Sequence, residues 1–91
     1  MIIVAGPIFV TPGRRDAFVA GSVEAVVAAR ETPGCLDFVV AADPVDDDRV
    51  NVFERWTSRA DLEAFRGAGP TADLTADIVA AEVAEWEVAD S

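Results

Sequence analysis

The chain has 91 residues, 52% of them hydrophobic, a length that allows one domain over residues 1–91. The formal net charge is −10, from 17 acidic residues against seven basic ones, all of them arginine. Such a surface repels phosphate backbones and anionic lipids, which argues against nucleic-acid and membrane partners. One cysteine cannot form a disulfide framework, so we expect a reducing, cytoplasmic location.

A strand and a helix are predicted first along the chain. Residues 2–10 are rich in Ile, Val and Phe, as a buried strand is, and are too few to span a bilayer. Pro12 and Gly13 turn the chain, and a helix is predicted from Arg14 to Arg30. Its stripe at helical spacing is Phe18, Gly21, Ser22, Ala25, Val26 and Ala29. The small residues of this stripe fit either close packing on a sheet or a cavity for a planar ligand.

Two more strands are predicted at 35–42 and 49–56, joined by the Asp-rich loop 43–48. Side chains alternate between the two faces of a strand. One face of the third strand therefore carries Val50, Val52, Glu54 and Trp56. Asn51 and Arg55 are expected to point to the opposite face.

The remainder of the chain predicts a helix and a last strand. Ser58 is a suitable N-cap for a helix from Arg59 to about Arg66, and a short helix is predicted near 71–80. Residues 81–88 are predicted as a fourth strand. The order β-α-β-β-α-β predicts an α+β, ferredoxin-like fold with a four-stranded antiparallel sheet and both helices on one face. The other face is also apolar, so we expect a homodimer joined through this sheet face.

Three segments resemble, in order and spacing, the antibiotic biosynthesis monooxygenase family. They are TPGRRDAF (11–18), ETPGCLDF (31–38) and VNVFERWTSRADLEAF (50–65), and the resemblance covers about residues 2–66. It implies a dimeric α+β barrel with a pocket between the sheet and the helices, lined by Trp56. The family includes cofactor-independent oxygenases of anthrones and quinols.

The sequence also departs from relatives of known chemistry. Haem-degrading members use a His to hold the iron, and this chain has no His, so no cofactor is expected. Oxygenases of polycyclic aromatics carry an Asn four residues before the Trp, where this chain has Val52. No Tyr is present to act as an acid. No metal site is predicted, because the loop 43–48 lacks the ligand spacing of a calcium loop.

The predicted catalytic residues are Trp56 and Glu54. Trp56 offers a flat wall and one N–H donor to an aromatic substrate, or else is a core or interface aromatic. Glu54 shares its face with apolar residues, so it needs a partner, either Arg30 or an arginine of the second subunit, or it is a general base of raised pKa. The predicted substrate-binding residues are Phe18, Ser22, Phe38 and Phe65.

The sequence therefore predicts a cofactor-independent monooxygenase acting on a polycyclic aromatic, anthrone or quinol-type substrate. The alternatives are a non-catalytic dimer that binds a small hydrophobic molecule, and an isomerase or cyclase that uses Glu54 alone. If Glu54 is exposed and ion-paired, both proton-transfer hypotheses fail. If side chains fill the space beside Trp56, every hypothesis that requires a pocket there fails.

Overall fold

The computed structural model describes residues 1–67 and 75–89. The described elements are β1 (Ile2–Val10), α1 (Arg15–Arg30), β2 (Cys35–Ala42), β3 (Arg49–Trp56), α2 (Arg59–Gly67), β4 (Ile78–Ala81) and β5 (Ala84–Glu87). All the strand pairs are antiparallel, in the order β2-β3-β1, and both β4 and β5 pair with the far side of β1. The predicted α+β, ferredoxin-like fold is confirmed.

The fourth strand position differs from the prediction, because two short strands occupy it. The strand pairing is interrupted between β4 and β5, although the register is kept and the amide of Glu82 still donates to the carbonyl of Pro7 over 2.9 Å. Gly6 of β1 has a φ of +147°, and a Cβ there would meet the backbone of Glu82 and Val83. Only glycine permits this close approach of the two chains.

The prediction of a short helix near 71–80 is wrong for the second half of that segment. Thr75–Asp77 form one 3₁₀ turn, and residues 78–80 belong to β4. Residues 71–74 lie outside the described part of the chain. Ile78 and Val79 are β-branched, and the pairing of this segment with β1, Ile78 opposite Val10, outweighs the helix propensity of the alanines beside them.

Both helices cover the same face of the sheet. Ala29 of α1 and Leu62 of α2 are fully buried in one core cluster with strand residues. This cluster, called here the Trp56 cluster, has as its buried members Ile2, Val4, Ala29, Phe38, Trp56 and Leu62, and Phe65 and Cys35 pack against it. A second cluster contains Val10, Phe18 and Val50. Neither described helix is long and apolar enough to cross a membrane.

The opposite face of the sheet is uncovered. Ile3 and Ala5 of β1 lie between Trp86 and Ala84 of β5 on one side and Arg55 and Phe53 of β3 on the other. Trp86 is 52% exposed and Phe53 37% exposed. The predicted apolar second face therefore exists, and the dimer that would cover it remains a prediction.

The turn before β2 locks the start of α2 in place. The amide of Thr57 donates to the carbonyl of Gly34 over 2.8 Å. Ser58 caps α2 as predicted, because its hydroxyl accepts the amide of Asp61 and donates to the Asp61 carboxylate. The Thr57 hydroxyl donates to the same carboxylate. Gly34 has a φ of +89°, and a Cβ there would run into the side chain of Asp61.

A pair of glycine variants tests this lock. Gly13 also has a positive φ, of +85°, but nothing lies within 4 Å of a Cβ placed there. We expect Gly13→Ala to lower the free energy of unfolding by about 1–2 kcal/mol, the cost of a left-handed backbone. Gly34→Ala should cost roughly 1–3 kcal/mol more, because it also overpacks against Asp61. Urea denaturation measures both, and equal losses would contradict the contact with Asp61.

Candidate functional site

A buried hydrogen bond joins the two residues predicted to be catalytic. Nε1 of Trp56 donates to Oε1 of Glu54 over 3.0 Å. Trp56 is fully buried, and Glu54 is only 9% exposed. The bond forms because the two residues are separated by one position on β3, so both side chains point towards the helices.

Apolar neighbours surround Glu54 across the sheet. Glu54 lies in register between Val4 of β1 and Phe38 of β2, and Trp56 lies between Ile2 and Cys35. Glu54 and Ser22 are the buried polar residues of the described chain. A carboxylate in such a place loses its hydration, and the indole N–H replaces part of it.

Phe65 of α2 lies against the indole of Trp56. The centroids of the two rings are 5.4 Å apart and their planes are tilted by 30°. Phe65 also meets Phe38 edge to face, at 5.7 Å and 68°. Side chains therefore fill the space beside Trp56, so the pocket that the family resemblance implied there is absent from the described part of the chain, and a ligand reaches the indole only if Phe65 moves. Because Phe65 is itself only partly buried, it forms the outer layer of the cluster.

The environment of Glu54 changes its acidity. Burial raises its pKa above the ordinary value of 4.5, and this is the largest influence. The hydrogen bond from Trp56 and the positive charge of Arg66 act in the opposite direction, and the negative charge of Glu85 adds a smaller upward influence. Glu54 is thus not exposed, it has no ion-pair partner among residues 1–67 and 75–89, and the carboxyl has the raised pKa that suits a general base.

An ion-pair bridge connects α2 to β5. Glu85 accepts from Nη1 of Arg59 over 2.8 Å and from Nη1 of Arg66 over 3.0 Å, one on each carboxylate oxygen. These two donors lower the pKa of Glu85. We call this set of three residues the Glu85 bridge. It holds both ends of α2 to the edge of the sheet that lies beyond β1.

Four of the predicted site residues meet in the Trp56 cluster, namely Trp56, Glu54, Phe38 and Phe65. Phe18 does not join them, because it packs on Val10 and Val50 in the second cluster. Ser22 is buried, but its hydroxyl donates to the carbonyl of Val19 over 2.7 Å. Phe18 and Ser22 therefore lie apart from the Trp56 cluster, and their role in binding substrate stays a prediction.

The partner of Glu54 is not the arginine that sequence reasoning suggested. Nε of Arg30 donates to the carbonyl of Phe38 over 2.9 Å. The sequence Glu54-Arg55-Trp56 already indicated that Trp56 could be the partner of Glu54, because residues two apart on a strand share a face. Arg66 and Glu85 were not predicted, since nothing in the sequence aligns α2 with β5. Asn51 faces away from Trp56 as predicted, and its amide donates to Asp43 over 2.8 Å.

Cys35 lies beside Trp56 but is not a reactive thiol. Burial raises the pKa of Cys35 above its ordinary value of 9.0, and the charge of Glu54 adds to this. A thiol that stays protonated is a poor nucleophile. Cys35 also lines a surface cleft of about 420 Å³ with Arg30, Leu36 and Asp37. Among the described residues, no group of His, Cys, Asp or Glu side chains has the arrangement of a metal site.

Comparisons with known proteins place the chain. The family model for antibiotic biosynthesis monooxygenase matches residues 1–74. A crystal structure from Chloroflexus aurantiacus that carries the same family name is 33% identical, with a TM-score of 0.78, and the match covers 99% of this chain and 94% of that one. The chain belongs to the antibiotic biosynthesis monooxygenase family.

More distant structures share the fold. A structure from Nitrosomonas europaea that is also named for the family is 18% identical with a TM-score of 0.83, over 97% of this chain and 98% of that one. One from Deinococcus radiodurans is 18% identical with a TM-score of 0.81, over 100% and 95%. An uncharacterized protein from Synechocystis sp. is 36% identical over 62 residues, which are 68% of this chain and only 42% of that relative.

The raised pKa of Glu54 predicts an effect on stability. The native state binds this proton more tightly than the unfolded state does, so ionised Glu54 destabilises the fold at neutral pH. Glu54→Gln stays neutral and keeps an oxygen for the indole of Trp56. The free energy of unfolding should therefore be higher in Glu54→Gln than in wild type at pH 7. The difference should shrink as pH falls towards the ordinary value of 4.5.

Glu63→Gln is the matched control, because it removes the same charge from an exposed position of α2. Urea denaturation at a series of pH values measures both variants. A gain in stability that is the same for the two variants would show only relief of the net negative charge. It would contradict a specific cost of burying Glu54.

Proposed function

We propose that this protein is a cofactor-independent monooxygenase of an electron-rich hydroxyaromatic compound of the anthrone or quinol type. One observation supports this most strongly: a buried carboxyl of raised pKa, Glu54, is fixed by the indole of Trp56 among aromatic side chains. Membership of the antibiotic biosynthesis monooxygenase family supports the same reaction type.

Glu54 would start the reaction as a general base. Its carboxylate takes the proton of the substrate's phenolic or enolic O–H, which leaves an electron-rich anion. Because the surroundings exclude water, the anion is not stabilised by hydration and gives up an electron readily. Trp56 holds one carboxylate oxygen, so the other is free to face the substrate.

The substrate itself supplies the electrons. The anion passes one electron to triplet dioxygen, and the resulting radical and superoxide combine to form a C–O bond. Glu54 returns its proton to the outer oxygen, giving a hydroperoxide. Loss of the C–H proton and cleavage of the O–O bond then give a carbonyl and water. A CH₂ group loses four electrons as it becomes C=O, and O₂ takes all four, so no external reductant is needed.

Access to Glu54 requires a change in the Trp56 cluster. Phe65 covers the indole, and α2 carries both Phe65 and the fully buried Leu62. We propose that a flat substrate enters by displacing Phe65 and then stacks on the exposed ring system. Trp56 serves first to orient Glu54 and then as a wall for the substrate. Phe38 forms a second wall.

We also propose that the protein acts as a homodimer in the cytoplasm. The apolar side chains of the uncovered sheet face, with Phe53 and Trp86 among them, support contact with a second copy. Sedimentation at several protein concentrations tests this assembly. A monomer at micromolar concentration would count against it.

Proton transfer alone is the second candidate function. Glu54 is the buried carboxylate of the described chain, and an isomerase or cyclase of a polyketide-like substrate needs one such group and no oxygen. The two reactions differ in one measurable respect. An isomerase forms its product without air, whereas a monooxygenase does not.

Oxygen uptake tests the proposal. Purified protein is mixed with a panel of anthrones and reduced quinones, and uptake is compared with protein-free autoxidation. We expect Glu54→Gln to lose roughly 10²–10⁴-fold in rate, the usual contribution of a general base. Trp56→Phe should lose less, because it releases the carboxylate without removing it.

Trp86→Phe is the control for Trp56→Phe, because it makes the same change at a tryptophan on the other face of the sheet. Its uptake should equal that of wild type. Uptake no faster than autoxidation across the panel would contradict the monooxygenase. Product formation under nitrogen would favour the isomerase, and binding without turnover would favour a ligand-binding module.

A further inference from the structure

We infer that Arg66 is a positioning residue for Glu54: held by Glu85 in the same row of the sheet as Glu54, its positive charge keeps the buried carboxylate ionised, ready to accept a proton. This inference deepens the proposed function, because an ionised Glu54 is what a general base requires. The effect of Arg66 on Glu54 can nevertheless be measured without any substrate.

The sheet register places two carboxylates in one row. Phe38, Glu54, Val4 and Glu85 are paired in sequence across β2, β3, β1 and β5. Directly paired residues point to the same face, so Glu54 and Glu85 both face α2 and are separated by Val4. Adjacent strands lie about 4.8 Å apart, so the two backbone positions are roughly 10 Å apart. A cation above Val4 can therefore interact with both.

Helix α2 brings arginines to this row. Arg59 and Arg66 are seven positions apart, which is about two helical turns, so they lie on the same side of α2. Both donate to Glu85, at 2.8 and 3.0 Å. They differ in their relation to Glu54, because Arg66 is the arginine whose charge acts on that carboxyl. Arg59 sits at the opposite end of the helix.

The charges and dipoles around Glu54 indicate that Arg66 opposes the effect of burial on this carboxyl. Burial favours the neutral acid, and so does the negative charge of Glu85 on β5. Cys35 on β2 is a neutral thiol, because its pKa is raised, and Arg30 of α1 donates to the carbonyl of Phe38. Trp56 supplies a dipole on the same strand. Among these described groups, Arg66 is thus the one that carries a full positive charge and favours the ionised form of Glu54.

A purely structural role for Arg66 makes a different prediction. If the Glu85 bridge only fastens α2 to the sheet, removing either arginine leaves Glu85 with one donor. Arg59→Gln and Arg66→Gln would then have the same effect on the fold and the same effect on Glu54. The pair is matched, since both side chains are about half exposed, at 48% and 46%.

The fluorescence of Trp56 reports the charge of Glu54 directly, because its indole N–H is bonded to that carboxylate. In a Trp86→Phe background Trp56 is the sole tryptophan. Its emission is followed against pH, and the transition is assigned to Glu54 by its loss in Glu54→Gln. We expect Arg66→Gln to move the midpoint to higher pH, Arg66→Lys to bring it back towards the parent value, and Arg59→Gln to leave it unchanged.

Equal midpoints for Arg66→Gln and Arg59→Gln would overturn the inference, and so would a parent protein in which no transition depends on Glu54. Urea denaturation of each variant shows that the fold is retained over the pH range used. Oxygen uptake is measured separately. A shifted midpoint without any uptake would refute the monooxygenase and leave the role of Arg66 intact.

Discussion

The hydrogen bond between Trp56 and Glu54 is the interaction on which the candidate site depends. It allows a carboxylate to lie in the apolar core, where an unpartnered charge would be too costly. The cost of burial outweighs both the hydrogen bond from the indole and the positive charge of Arg66, so the pKa of Glu54 remains raised. A protein that only needed a stable core would gain by replacing Glu54 with an apolar residue. Its presence is therefore the strongest indication of chemistry in this chain.

The rest of the fold keeps this pair in place and closes it off. The lock formed by Gly34, Ser58 and Asp61 fixes the start of α2, and the Glu85 bridge ties the helix to β5. Phe65, which α2 carries, lies over the indole. The site is therefore shut in this conformation, and opening it must separate Phe65 from the rings of Trp56 and Phe38. The exposed ion pairs of the Glu85 bridge, which also hold α2, are individually weak and add little to the cost of opening.

The sequence predicts much of the fold because its signals are local. Alternation along β3 placed Glu54 and Trp56 on one face, the Pro-Gly turns marked the ends of β1 and α1, and Ser58 marked the start of α2. The site was predicted less completely. Phe18 and Phe38 both face the core, but sequence periodicity does not say which cluster each joins. The close approach of Glu82 to Gly6 and the ion pair of Arg66 with Glu85 depend on how segments far apart in the sequence pack, and no local sequence pattern predicts such contacts.

The pH profile of oxygen uptake would test the central claim most directly. If ionised Glu54 is the base, kcat/KM must fall as pH drops through the raised pKa of this carboxyl. The midpoint should coincide with the transition seen in the fluorescence of Trp56 in the same protein. The profile of Arg66→Gln should move to higher pH by the same amount as its fluorescence. A rate that is flat through the titration of Glu54 would contradict the account, because the proton acceptor would then have to be another group.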